Sequence, residues 1–159
     1  SLFEIPGTYP LLPEEVQPRI KLATDILEDI VGHKVVSWRC PRLFGGTHVT
    51  NALEALGYEC DATYPMYFYN EQLFPYHPSQ ENWTEKGSLN LIEIIQFADM
   101  GMKSKDDYGR DKDQWPLYRT QSTEAFIPHI ESFMSYLEKN DQSQKPIVLC
   151  FYFHPWEFW

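Results

Sequence analysis

Helical and strand-like stretches alternate along this chain, and the alternation restricts the possible folds more than any other feature of the sequence. "PEEVQPRIKLATDILEDIVG" (13–32) has Pro13 suited to a first helical turn, and Glu14 and Glu15 complement the positive end of the helix dipole. Val16, Ile20, Ala23, Leu27 and Ile30 recur at spacings of three and four, which predicts one apolar face. Gly32 accepts positive φ cheaply and stops the helix. Pro18 leaves open a later start. "KVVSW" (34–38) follows as a short strand of β-branched and aromatic residues. The pattern then repeats: a turn and helix at "GGTHVTNALEAL" (45–56), with Thr47 as candidate cap and Gly57 as stop, and a strand at "YECDATY" (58–64).

Residues 66–122 carry many aromatics and prolines, one predicted strand at "LNLIEII" (89–95), and a charged loop, "KSKDDYGRDKDQ" (103–114). "FIPHIESFMSYLEKN" (126–140) predicts a third helix, with Ile130, Phe133, Met134 and Leu137 on one side. "PIVLCFYF" (146–153) is a continuous apolar run, the pattern of a strand buried on both faces. Strands separated by helices predict an α/β domain with parallel strands. In such folds chemistry gathers at the carboxyl ends of the strands. Two polar clusters fall there: Arg39-Cys40-Pro41-Arg42 and His154-Pro155-Trp156-Glu157.

Composition narrows the partners. A formal charge of -10 over 159 residues argues against nucleic acid or an anionic membrane surface, both of which need a basic footprint. No run of apolar residues is long enough to span a bilayer. With 43% hydrophobic and 16% aromatic residues the chain can bury a core. Cys40, Cys60 and Cys150 are too few and scattered for a disulfide framework or a zinc knuckle, and they point toward a reducing, cytoplasmic compartment. "SLFEIPGTYP" is neither a signal peptide nor a start with Met, so the expectation is a segment cut from something longer.

"VVSWRCP", then "LEALGYECDATYP", then "CFYFHPWEF" resemble, in order and separation, the polysaccharide deacetylase family, carbohydrate esterase family four. The first two resemble the family's Arg-x-Pro segment followed by a helix, a Gly and an "Asp-Ser-Ser"-like strand end. The third resembles its last motif, where a histidine ends a buried strand. "LLPEEVQPRIKLATDILEDIVGHK" matches the helix between these sites and an earlier metal-binding motif. The resemblance covers most of the chain and is looser over 66–122. It implies an α/β fold that is an incomplete (β/α) barrel lacking its first strands, in one domain over 1–159. It further implies a hydrolase that removes N-acetyl groups from an amino-sugar polysaccharide or oligosaccharide with a divalent metal, zinc first. Relatives of this kind are often extracytoplasmic.

The family's metal ligands are an Asp-Asp pair on its first strand and a His-x-x-x-His pair soon after; here no Asp-Asp strand precedes Leu12, and the five histidines never fall four apart. The expectation is therefore the C-terminal two-thirds of a deacetylase domain, with no metal held by this chain and no turnover by it alone. A missing N-terminal segment of the same domain becomes its expected partner.

By the resemblance, Arg39 and His154 are the catalytic residues. Arg39 would hold the aspartate base, one that the chain itself does not contain, and keep it ionised. Read without the family, Arg39 is a surface arginine at a strand end. His154 would protonate the leaving amine, work that suits imidazole because its pKa lies near operating pH; the plainer reading is a structural histidine. Substrate contacts fall on Pro41, on Arg42 where the family has an aromatic, on Tyr152 where it has a leucine, on Trp156 and on Trp83. Pro41 serves equally to stop the strand, and Trp156 and Glu157 are equally explained by packing and exposure. Trp83 of "SQENW" is placed on a groove wall by location, with Asp111 and Trp115 of "DKDQW" as the alternative. His77 and nearby tyrosines could stack on sugar rings, though ordinary packing accounts for them. The acidic run through Asp106, Asp107, Asp111 and Asp113 lacks an EF-hand pattern and reads as solvated loop. Two other functions stay open: a non-catalytic carbohydrate-binding or scaffolding module, and an amidohydrolase acting on a small amide under the aromatic insert 64–83.

Overall fold

Helix α1 (Pro13–Val31) forms where the apolar periodicity predicts it and runs through Pro18, which forgoes the bond its N–H would have given to Glu14. Gly32 ends it at φ 73, its N–H donating to the Glu28 carbonyl at 2.9 Å. The buried stripe differs from the expected one. Val16, Ile20 and Thr24 turn inward, whereas Leu27 and Ile30 stay 46% and 73% exposed. A spacing of four follows the contact with α2 (Thr47–Ala55), and Val16 and Ile20 pack with Val49, Ala52 and Leu53. Thr24 fits this stripe because its hydroxyl bonds the Ile20 carbonyl (2.8 Å) and the Tyr58 hydroxyl (2.6 Å). Cys40, Tyr58 and Leu91 complete the cluster.

The computed structural model describes residues 13–66, 68–69, 71–105, 111–114, 122–140 and 146–151. They belong to two units, one from 1–64 with 75–94 and one from 65–74 with 95–159. In the first unit, β1 (Ser37–Trp38), β2 (Cys60–Asp61) and β3 (Ile92–Glu93) form a parallel sheet in that order, as the alternation of helix and strand predicts. The strands are shorter than the apolar runs from which they were expected. α2 begins at Thr47, but not by the expected cap: Gly46 precedes it without a side-chain cap, and Thr47 Oγ1 instead accepts the Trp83 N–H at 3.3 Å. Its far end is a Schellman turn. Gly57 at φ 77 donates to Glu54 and Tyr58 donates to Leu53, both at 3.0 Å. Glu54 then fastens α2 to the start of β3, its carboxylate accepting the Asn90 and Leu91 backbone N–H groups at 3.1 and 2.8 Å.

In the second unit α3 (Thr123–Asn140) packs on β4 (Asp99–Lys105), which pairs antiparallel with β5 (Asp111–Gln114). The charged run expected as loop is thus partly a hairpin, with Lys103, Ser104 and Lys105 opposite Asp113, Lys112 and Asp111. Main-chain pairing needs no apolar side chains, so composition concealed it. α3 buries His129, Phe133 and Leu137, while Met134 from the expected face is 37% exposed. His129 takes the inner position because it meets a buried partner, Asp99. Phe97 lies edge-on to Phe133 and Phe151, with ring centres 5.1 Å away in each case.

Pro65, Gln96 and Cys150 pair in parallel as single bridges, and the Phe97 N–H donates to the Cys150 carbonyl at 2.9 Å. The last apolar run therefore does enter a parallel arrangement. Its described part is not buried on both faces, because Ile147 and Val148 are exposed and Leu149 to Phe151 half-buried. The fold is mixed α/β with a small parallel sheet, and the barrel expectation reaches beyond these strands. Among the described residues no helix is long and apolar enough to cross a membrane.

Candidate functional site

The parallel ladder puts Trp38 beside Asp61 and Asp61 beside Glu93. Neighbours in register project to the same face, so two acidic side chains stand next to each other at the carboxyl ends of β2 and β3, with Arg39 directly following β1. The burial pattern is inverted relative to a structural sheet. Asp61 and Glu93 are 0% exposed, whereas Ile92, alternating with Glu93, is 40% exposed. A buried polar pair is the informative departure from ordinary packing.

A hydrogen-bond chain holds this pair. The Cys40 N–H donates to Thr63 Oγ1 at 2.8 Å, and the Thr63 hydroxyl donates to Asp61 Oδ1. Glu93 Oε1 accepts the backbone N–H of Thr63 at 3.1 Å and of Tyr64 at 2.7 Å. Asp61 Oδ2 and Glu93 Oε2 are buried and accept from no donor. Two ionised carboxylates so placed would repel by about 3 kcal/mol at ~5 Å and an effective dielectric constant of ~20. Burial pushes Asp61 up to about 7, against the downward pull of Thr63, Glu93, Ala62 and the Arg39 charge. Burial, and then the Asp61 charge, push Glu93 well above the ordinary carboxylate range, against the Tyr64 and Thr63 N–H groups.

Arg39 is half-buried, and its Nε–H donates to the Ala62 carbonyl at 2.9 Å while its charge acts on Asp61. The Arg39 charge thus acts on an acid of this chain, Asp61, which the sequence reading did not single out. Pro41 is exposed and opens a 3-10 turn, Pro41–Leu43, that contains Arg42. Leu43 closes the turn at φ 57, a left-handed conformation costing a leucine roughly 1–2 kcal/mol. It is 6% exposed, and burying that side chain returns about 1.5–3 kcal/mol. Packing wins, and the turn holds its shape beside the Arg39 segment. Cys40 is sealed beneath it. Its thiol donates to the Phe44 carbonyl, and burial, then the Asp61 charge, push it up to about 12, so it is no nucleophile.

Trp83 is 6% exposed, edge-on to Tyr64 at 5.5 Å between ring centres. Gly45 lies against the indole so closely that a Cβ would sit 2.7 Å from its Cη2. The ring is a core element of the first unit and presents little face to a substrate. His77 is exposed and its Nδ1 lies 3.2 Å from the Leu91 carbonyl. Asp111 lies on β5. His154, Tyr152, Trp156, Glu157 and Trp115 lie outside the described residues.

Asp61, Thr63 and Glu93 were not singled out from sequence. The available signal was an acid inside a strand-like run, in "YECDATY" and above all in "LNLIEII".

The divalent metal implied by the family resemblance does not fit this pair. Asp61 Oδ1 and Glu93 Oε1 are already occupied, burial raises the proton affinity of both carboxyls, and the described residues hold no group of three or more candidate ligands. The second unit contains another buried acid, Asp99, whose Oδ2 lies 2.9 Å from His129 Nδ1 and whose Oδ1 accepts the Gly101 N–H. Comparison with family models, with curated proteins and with solved structures finds no match.

Proposed function

We propose that this chain carries part of the active site of a metal-dependent hydrolase of the polysaccharide deacetylase type, which removes N-acetyl groups from an amino-sugar polysaccharide. One observation carries the reading. Arg39, Asp61 and Glu93 converge at the carboxyl ends of three consecutive parallel strands, where α/β enzymes keep their chemistry. Buried acids facing an arginine cost stability, and perturbed carboxyls of this kind concentrate at functional sites.

In the reaction, water adds to the acetamide carbonyl, the C–N bond of the tetrahedral intermediate breaks, and acetate and a free amino sugar leave. Arg39, anchored through Nε and by the Asp61 charge, offers a fixed cation to a base carboxylate or to developing negative charge. His154 gives its proton to the departing nitrogen.

The test measures acetate release by the full-length protein supplied with a divalent metal, using acetylated chito-oligosaccharides and, separately, small cyclic amides. The expected result is turnover of the oligosaccharides and a loss of ~10²-fold or more in kcat for His154→Ala. Turnover of the cyclic amides alone would transfer the site to small-amide hydrolysis. Oligosaccharide binding without turnover would make this a carbohydrate-binding module.

A further inference from the structure

We infer that Glu93 is a resident neutral acid whose Oε2–H donates to Asp61 Oδ2, leaving Asp61 as the single anion that positions Arg39. The inference rests on the deacetylase reading only for what Arg39 is positioned to do. Both side chains are 0% exposed and in register on adjacent parallel strands. Each has one oxygen already engaged, Asp61 Oδ1 by the Thr63 hydroxyl and Glu93 Oε1 by two backbone N–H groups. The remaining oxygens, Oδ2 and Oε2, are buried without a donor, on side chains that are neighbours in register. Two acceptors cannot satisfy each other, so one must bring a proton.

The surroundings decide which. The titratable and charged groups acting on Asp61 are Arg39, Glu93 and the Cys40 thiol. Arg39 is the cation among them, and its charge acts on Asp61, so the negative charge belongs there. The Thr63 and Tyr64 N–H groups do not oppose this, because Oε1 accepts them equally well as the carbonyl oxygen of a neutral acid. The directions of titration agree, since the side-chain interaction between the two carboxyls favours the proton on Glu93 and disfavours it on Asp61. One proton on the pair then leaves it one negative charge instead of two, the cheaper arrangement for buried acids. Glu93 is thus a positioning residue that acts on Arg39 through Asp61.

The test is difference infrared spectroscopy of the full chain. At pH ~8, where ordinary carboxyls are ionised, the wild type is expected to retain a protonated-carboxyl band that disappears in Glu93→Gln. Glutamine reproduces the neutral acid, with one oxygen for the two N–H groups and an N–H for Asp61. Glu93→Gln is therefore expected to fold with near wild-type stability and to keep the wild-type pH profile of acetate release, whereas Glu93→Ala loses both. Absence of the band in the wild type, or its survival in Glu93→Gln, overturns the inference; so does a glutamine variant as damaged as the alanine variant. If Glu93→Ala does not fold, the wild type and Glu93→Gln still decide. A wild type that shows the band but releases no acetate would refute the deacetylase reading and leave the proton assignment standing.

Discussion

Asp61 and Asp99 are both completely buried aspartates, one in each unit, and they are neutralised in different ways. Asp99 meets an imidazole and a backbone N–H, so α3 is tied to β4 by a side chain of complementary chemistry. This is a structural arrangement that needs no other purpose. Asp61 meets a second carboxyl group, a hydroxyl and, by its charge, an arginine. Acid beside acid gains nothing that an apolar pair would not supply more cheaply. The contrast shows where function should be sought: at the pair whose packing is hard to justify on stability alone.

The comparison breaks most visibly at His129. His129→Ala would leave Asp99 buried with only the Gly101 N–H, and loss of a buried partner costs about 3–5 kcal/mol. Urea unfolding of the variant checks this. Glu93→Gln in the same experiment is expected to change stability by less than about 1 kcal/mol, because it replaces one neutral donor with another. Equal losses in the two variants would erase the distinction between the sites.

Stability against pH sharpens the comparison further. Asp61 binds its proton more tightly in the folded chain, up to about 7, than in the unfolded chain, where aspartate titrates near ~3.9. Between those values the folded state carries more protons. The stabilisation is therefore complete below pH ~4 and is lost as pH rises through about 7. Urea midpoints measured from acid to neutral pH should fall accordingly, and Asp61→Asn should flatten that slope. A slope unchanged by Asp61→Asn would assign it to another group.

The helices were legible because each has a periodic apolar stripe and an end signal that acts locally. Gly32 and Gly57 both stop a helix at positive φ, as the sequence predicts. The parallel order was legible from the alternation of elements. Which face is buried was less so: Thr24 replaced Ala23 and His129 replaced Met134 because a polar side chain with a buried partner can outcompete an apolar one. At the site, Arg39 stood out as a charge after an apolar run. Asp61 and Glu93 did not, because their meeting depends on register between strands about thirty residues apart, which no local pattern encodes. Trp83 was placed on a groove wall by its position in the chain, and only the close approach of Gly45 reveals it as core.

That approach gives a prediction of intermediate size. Alanine at position 45 would bring a methyl 2.7–2.9 Å from the Trp83 ring and Thr63 Cγ2. Overpacking of this kind costs about 1–3 kcal/mol. Thr63 belongs to the Asp61 network, so Gly45→Ala should also shift the carboxyl titration, read by the same infrared band. Loss of stability with no change in that band would mean that the indole moves and the network does not depend on it.

The smallest expected effect comes from Glu54, a carboxylate that is not deeply buried and so marks the opposite extreme to Asp61. Slight desolvation raises its proton affinity, but the Asn90 and Leu91 N–H groups and the Asn90 side chain hold it below the ordinary glutamate range. Its sign in the pH balance is therefore reversed. Its contribution is present above the unfolded value of ~4.3 and is lost as pH falls through the depressed folded value. Glu54→Ala removes the anchor between α2 and β3 and should cost about 1 kcal/mol at neutral pH, and less in acid. Glu54→Gln, which keeps an acceptor oxygen, should cost less than alanine and lose the acid sensitivity. Hydrogen exchange at Asn90 and Leu91 checks the local effect. Protection unchanged in Glu54→Ala would mean that β3 is held by its sheet neighbours alone, and that Glu93 reaches Asp61 without help from α2.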